Sequence, residues 1–402
     1  MFSRFTKFIK KEKKYLDYAS ITPVDSRVLV VMNKLTSSLF HNPGSLYASG
    51  VKVEKMISSA RVNIAKILSG KNTNTVHADE VIFTSGGTES NNIAIQGVVD
   101  KWYEDHDQKP HIIISEIEHP SIRNIVENLS KKNKITFSKI KINNDGVIDI
   151  QNLKEILSEN KNTILVSVML VNNEIGSIQP IKEIASVIRK IRENNIYPLL
   201  HTDACQAMNY LDIQFDKMGV DLLSLDGGKI YGPRSSGILY IKRKTPINPV
   251  YFGGDQEYGM RPGTENLSAI VGLEKALQIV STEKEKETQR LFKMQQYIFS
   301  KIQKIKNVSI NGSVEKEKRI VNNINICFKN KDAEFLLFKM DKLGYEVSTG
   351  TTCQNKKEES RSVSVDALRG DCGGSSLRIS LGRWTTWGEV RGLVRAIDKV
   401  AK

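Results

Sequence analysis

The chain has 402 residues, 40% hydrophobic and 26% charged, with a formal net charge of +14. That length can bury a large core and favours two domains, the balance is that of a globular protein, and no apolar run approaches the ~20 residues that span a membrane. The basic residues are scattered among Asn, Glu and Ile, which argues for a lysine-rich background and against direct nucleic-acid binding, and the four cysteines (Cys205, Cys327, Cys353, Cys372) lack the CxxC spacing of a metal site or a disulfide framework.

Residues 1–14, MFSRFTKFIKKEKK, are basic and somewhat amphipathic but have no signal-peptide apolar core. They read as a solvated arm on a cytoplasmic protein. YLDYASITPVDSRV (Tyr15 to Val28) predicts a short strand and a turn into a helix. HNPGSLYASG (His41 to Gly50) predicts a loop, and the helix after it carries Val53, Met56, Ile57, Ala60, Ile64, Ile67 and Leu68 at helical spacing.

EVIFTSGGTESNNIAIQGVV (Glu80 to Val99) predicts a strand, a glycine-rich turn and a helix. Gly86 and Gly87 let a phosphate approach the backbone, Thr88 offers a hydroxyl, and the helix start offers free N–H groups. HIIISEIEHPSI predicts a second strand ending at His119, a residue type that is more often structural than catalytic in such a place. After a polar meander, ILVSVMLVNNEIGSIQPI predicts a third, closed by Asn172, Asn173 and Glu174. An amphipathic helix then leads to YPLLHTDACQ, a strand ending at Asp203.

VDLLSL is a further buried strand, and Lys229 follows it after Gly227 and Gly228, ahead of GILYI. In open α/β sheets ligands collect at this edge of the strands. An amine and a carboxylate at neighbouring strand ends, Lys229 and Asp203, are what pyridoxal phosphate (PLP) requires: a Schiff-base partner and a counter-charge for the pyridinium nitrogen. The alternation of strands and helices over residues 80–241 predicts a largely parallel sheet. GGDQEYGMRPGTEN leads into a long helix whose charged run, STEKEKETQR, is expected to mark a hinge. The remaining short strands and helices predict an α+β second domain, and SVDALRG a helical turn inside a loop.

Together YLDYASITPVD, FTSGGTESNNIAI, EHPSI, VNNEIGSIQ, HTDACQA, GGKIYGPRSSGILYIK, MRPGTEN, VSTGTTCQ and SSLRISLGRWTT resemble, in the same order, the motifs of the cysteine desulfurases, fold-type I PLP enzymes of the class V aminotransferase group, long-loop branch. The resemblance implies an α/β fold of the PLP-dependent transferase type, with a large domain over residues 15–266, whose first residues can pack with the small one, and a small domain over 267–402. It implies that Lys229 holds PLP and moves the substrate α-proton. Asp203 would keep the ring nitrogen protonated, Gln206 would reach the ring hydroxyl, and His119 would stack on the ring and move protons, with Asn173 beside it. Gly87 and Thr88 would hold the phosphate, joined by Thr264 from a neighbouring subunit, hence a homodimer. Arg378 would clamp the carboxylate of L-cysteine. Cys353 would take the sulfur as a persulfide, leaving alanine, for an acceptor in iron–sulfur cluster assembly or tRNA thiolation.

Two positions depart from the family pattern, Asp226 and Gly228 standing where Ser and His precede the lysine, and Tyr47 replaces a loop histidine. A carboxylate against phosphate is costly, so Asp226 is expected to turn outward. Cys205, alternating with Asp203, is expected on the opposite sheet face, Cys327 in the core, and Cys372 without a role. A selenocysteine lyase or related class V enzyme, and a non-catalytic scaffold for a sulfur carrier, stay open as alternatives.

Overall fold

The computed structural model describes residues 13–70, 75–349, 362–369 and 372–402, and all counts below refer to these. A two-residue strand, β1 (Lys14–Tyr15), precedes helix α1 (Ser26–Ser38), which starts where the Asp25 carboxylate accepts the Arg27 N–H, the usual work of an N-cap aspartate. Helix α2 (Ala48–Ser69) begins inside the segment expected as loop. It buries Val53, Ile57, Ala60, Ile64 and Leu68, one apolar face at helical spacing.

Strands and helices then alternate: β2 (Val81–Thr84), α3 (Gly87–Asp105), β3 (His111–Ser115), α4 (Pro120–Lys131), β4 (Thr136–Ile140), α5 (Ile150–Glu159), β5 (Thr163–Ser167) and α6 (Ile181–Arg192). They continue as β6 (Leu199–Asp203), the single turn α7 (Phe215–Met218), β7 (Leu222–Asp226) and β8 (Gly237–Ile241). The C-terminal part comprises α8 (Leu267–Ile302), β9 (Val308–Ile310), β10 (Asn323–Phe328), α9 (Ala333–Lys342), β11 (Tyr345–Glu346), α10 (Val363–Arg369), β12 (Ser376–Ser380) and α11 (Trp387–Ala401).

The main sheet has seven strands in the order β2-β8-β7-β6-β5-β3-β4. Neighbours are parallel except β8, which runs antiparallel to both β2 and β7. β2, β3, β5 and β6 are buried at every position, because helices cover both faces of such a sheet. β4 lay within the polar meander of the sequence; it is an edge strand paired only with β3, so Ser138 and Lys139 need no core face.

The second sheet, β12-β10-β9, is antiparallel throughout. β1 pairs with β11, and Asp17 bridges Ser380, which binds the N-terminal segment into the C-terminal part. The 36-residue α8 joins the two sheets. Gly272 lies against Met32 of α1, while Gln295 donates to the Ile320 and Asn323 carbonyls beside β10. The Ser281–Arg290 run expected at a hinge is helical throughout.

Cys327 and Cys372 form a disulfide, Cα–Cα 5.8 Å, which corrects the expectation of unpaired cysteines. Their separation of 45 residues leaves no local spacing signal. Cys327 pairs with Ser376 across the β10–β12 ladder, and the Ser376 hydroxyl bonds the Cys372 carbonyl, folding that turn back over the strand.

One contact sets the position of the glycine-rich turn. A Cβ on Gly237 of β8 would stand 2.5 Å from the Cα of Gly86, which has φ +143°. Gly237→Ala should therefore destabilise the fold by about 1–3 kcal/mol, the usual cost of overpacking, read as a lower midpoint in thermal unfolding. An unchanged midpoint would mean that strand and turn can separate freely.

Candidate active site

The carboxyl ends of β2, β3, β5, β6 and β7 open into a cavity of about 290 Å³. Its lining includes Gly87, Thr88, His119 and Asn173, and further round Asp203, Gln206, Lys229 and Arg378. Residues far apart in the chain meet because each follows a strand of one sheet or, for Arg378, lies on β12 of the other.

Asp203 ends β6, and its carboxylate accepts from Asn91 Nδ2 at 2.8 Å and from the Cys205 N–H at 3.0 Å. The same Asn91 amide nitrogen donates to Ser121 Oγ at 2.8 Å. With that oxygen accepting, the Ser121 hydroxyl donates to His119 Nδ1 at 2.8 Å, which also accepts the Ser121 N–H at 3.2 Å. His119 thus caps α4, followed by Pro120 at the first helical position. Burial lowers the His119 pKa despite the opposing pull of Asp203, so the ring is neutral and its proton sits on Nε2. Asn91, inside the NNIAI run, has no sequence mark to separate it from Asn92, whose side chain merely bonds Thr88 on the exposed helix face.

Lys229 closes a short 3-10 turn, Gly227–Lys229, after β7. Its amine donates to the Ser20 carbonyl. Arg378 is 2% exposed; Nη2 pairs with Asp17 Oδ1 at 2.8 Å and Nη1 donates to the Asn173 carbonyl at 3.2 Å. Its Nε is buried with no hydrogen-bond partner among the described residues. A buried guanidinium with a spare donor in a cavity wall suits a carboxylate ligand. Asp17 and Ser20 come from the DYAS segment, to which no role fell from sequence. Gln206 donates to the Ala19 carbonyl at 2.9 Å. Arg123, one turn into α4, also lines the cavity, and its Nε has no hydrogen-bond partner among the described residues.

Two expectations are corrected here. The Asp226 carboxylate turns inward: Oδ2 accepts the Gly87 N–H at 3.0 Å and Oδ1 the Gly228 N–H at 2.8 Å. Unsatisfied N–H groups at a helix start outweigh the freedom that the following glycines allow. Cys205 lines the same cavity as Asp203: side chains two residues apart in an extended chain point to the same side, so the alternation itself argues for this face. Burial raises the thiol's pKa well above its ordinary value. Thr264 is exposed in a loop away from the cavity, and Cys353 lies outside the described residues.

PLP fits most of this cavity: an amine, a carboxylate anchored by two donors, a neutral imidazole and the Arg378 guanidinium all line it. The α3 end, where a phosphate would seat, already carries a carboxylate.

A model of the aminotransferase class-V family matches residues 14–393. Cysteine desulfurase IscS of Dictyoglomus turgidum is 37% identical over 97% of this chain and 95% of its own length. Among solved structures, a NifS-like protein superposes with a TM-score of 0.86 at 28% identity, covering 96% of this chain and 99% of that one. SspA in complex with cysteine superposes at 0.77 and 30% identity, covering 93% and 100%.

Glu118, the residue before His119, is wholly buried, and burial pushes its carboxyl up to about 8, against the opposing hydrogen bonds from Ser115 and the Met169 N–H. The folded state favours the protonated form, so this stabilisation is complete below the unfolded value of 4.5 and is lost as pH rises through about 8. Against Glu118→Gln, the wild-type unfolding midpoint should drop between those two pH values. A constant difference between the two proteins would contradict a neutral Glu118.

Proposed function

The chain belongs to the aminotransferase class-V family, and from that membership and the cavity we infer that it is a PLP-dependent cysteine desulfurase, releasing alanine from L-cysteine and passing the sulfur on. The observation that carries this is the convergence of Lys229, Asp203 and Arg378 on one cavity. PLP, when bound, withdraws electrons from the α-carbon of the amino acid attached to it.

The chain's own groups divide the remaining work. Lys229 supplies the amine that holds the cofactor and then the base that moves the α-proton. Asp203, fixed by Asn91 and the Cys205 N–H, keeps a proton on the ring nitrogen. His119, neutral with its proton on Nε2, would stack on the cofactor ring as a donor beside Asn173, and Gln206 would hold the ring hydroxyl. Arg378 binds the substrate carboxylate through its free Nε, its other nitrogens being held by Asp17 and Asn173. The Cys353 thiolate attacks the substrate sulfur; the S–S bond forms as the C–S bond breaks, its electron pair stays on the β-carbon, which takes a proton and becomes the methyl of alanine, and the sulfur stays on Cys353 as a persulfide until an acceptor protein takes it. Iron–sulfur cluster assembly or tRNA thiolation is the destination we propose.

Gly87, Thr88 and a second subunit's Thr264 complete the cofactor's phosphate end in this reading, which makes the protein a homodimer. Leu46 and Phe252 support that: they are 95% and 90% exposed, and their segments adjoin where Pro43 and Tyr258 line one depression. Exposed apolar surface that is contiguous, rather than single side chains, marks contact surfaces. The division into units at residues 266 and 267 and a cytoplasmic setting belong to the same proposal; no helix among the described residues is long and apolar enough to cross a membrane.

Lys229→Ala should lower alanine and sulfide release from cysteine by about a thousandfold or more, as loss of a positioned base and attachment point does. Turnover near the wild-type rate would end the reading. Cys353→Ser should bind PLP and cysteine as the wild type does but carry no persulfide in the mass spectrum of the intact protein; a persulfide on Cys205 instead would reassign the acceptor. Sedimentation should give a dimer, and Leu46→Glu with Phe252→Glu a monomer. A wild type that is monomeric and fully active would remove Thr264 from the site.

A further inference from the structure

Among the longer helices that begin at the wall of the cavity holding Lys229 and Asp203, α3 and α4, only one has donors to offer. At the start of α4, Pro120 has no N–H and the Ser121 N–H is taken by His119 Nδ1. α3 starts at Gly87 after Gly86, which has no side chain with which to cap it. Of these two, α3 is the start that suits a phosphate monoester, because its backbone N–H groups and the helix dipole favour an anion. The Asp226 carboxylate is already there, on the Gly87 N–H at 3.0 Å. It fits closely: a Cβ built on Gly86 would meet Asp226 Oδ2 at 2.9 Å. Its other oxygen holds the Gly228 N–H, so one side chain ties the start of α3 to the turn that carries Lys229.

We propose that Asp226 is a built-in competitor for the cofactor's phosphate and determines how this chain discriminates between phosphorylated and unphosphorylated forms of the cofactor. This rests on the PLP reading of the cavity. A phosphate cannot take the Gly87 N–H while the carboxylate holds it, and two anions on one helix start repel each other. Loading with PLP requires Asp226 to swing away, which Gly227 and Gly228 allow, with loss of both its hydrogen bonds. The ring, the aldehyde and the Lys229 amine are untouched by this competition. The cost therefore falls on PLP and spares pyridoxal, the same aldehyde without phosphate.

The test uses the full chain freed of cofactor, titrated with PLP and separately with pyridoxal, in the wild type, Asp226→Ser and Asp226→Asn. Serine keeps a capping oxygen without charge, and asparagine keeps the shape. Both variants should bind PLP about tenfold more tightly, equivalent to about 1.4 kcal/mol, with pyridoxal affinity unchanged. Inorganic phosphate should raise the unfolding midpoint of the cofactor-free variants more than that of the wild type. A parallel change for PLP and pyridoxal, or looser PLP binding in both variants, would overturn the proposal and make Asp226 a structural cap. Borohydride fixation followed by peptide mapping separates the two levels. An adduct on Lys229 in all three proteins with equal PLP affinities sinks the competition alone, whereas no adduct on Lys229 in any of them sinks the cofactor reading and the proposal with it.

Discussion

The contact between Gly86 and Gly237 is the constraint on which the cavity depends. β8 is the one strand of the main sheet that runs against its neighbours, inserted between β2 and β7. Its first residue, Gly237, pairs with Thr84 on one side and Asp226 on the other. Both of those positions are the last in their strands, so the turn into α3 and the turn into Lys229 leave the sheet side by side. Any side chain at Gly237 would push them apart, and the start of α3 would no longer face the lysine.

That arrangement gathers largely buried charge around one cavity, and each charge is handled differently. Asp203 is fixed by neutral donors from α3 and from its own following turn. Arg378 is paired with Asp17 from the other end of the chain. Removing one partner of such a buried pair leaves the other charge exposed to the full desolvation penalty. The link between the N-terminal DYAS segment and β12 thus belongs to the binding apparatus as much as to the fold. Glu118 takes the remaining course and gives up its charge, burial outweighing two hydrogen bonds.

Most of the frame was legible because buried parallel strands are written as apolar runs and each ends at a recognisable turn. HIIIS, YPLLHTD and VDLLSL are of this kind, and Asp203 and Lys229 were found simply as the polar residues at their ends. Most of what escaped has no periodic signature. β4 reads TFSKI because an edge strand has one neighbour and keeps its polar groups in water. Cys205 shares the face of Asp203, as residues two apart do, so the expectation of opposite faces misapplies the period. The Cys327–Cys372 bond closes a separation of 45 residues that includes α9, β11 and α10, which spacing cannot encode. Asn91 differs from Asn92 only in the direction of its side chain, which the packing of α3 on the sheet decides.

Asp226 was misplaced for a more instructive reason. Repulsion from a phosphate favours an outward carboxylate, but the demand of the helix start favours an inward one. A helix that opens on two glycines leaves its first N–H groups unsatisfied, and nothing else on the described turn can reach them: Thr84 Oγ1 is engaged with Ser90 and Gly86, and Glu89 with Ser85 and Arg261. The one acceptor close enough comes from the neighbouring strand end, brought there by β8. The features that make α3 a ready anion site therefore also recruit an anion from within the chain, so the strength of the site and its self-occupation have the same cause.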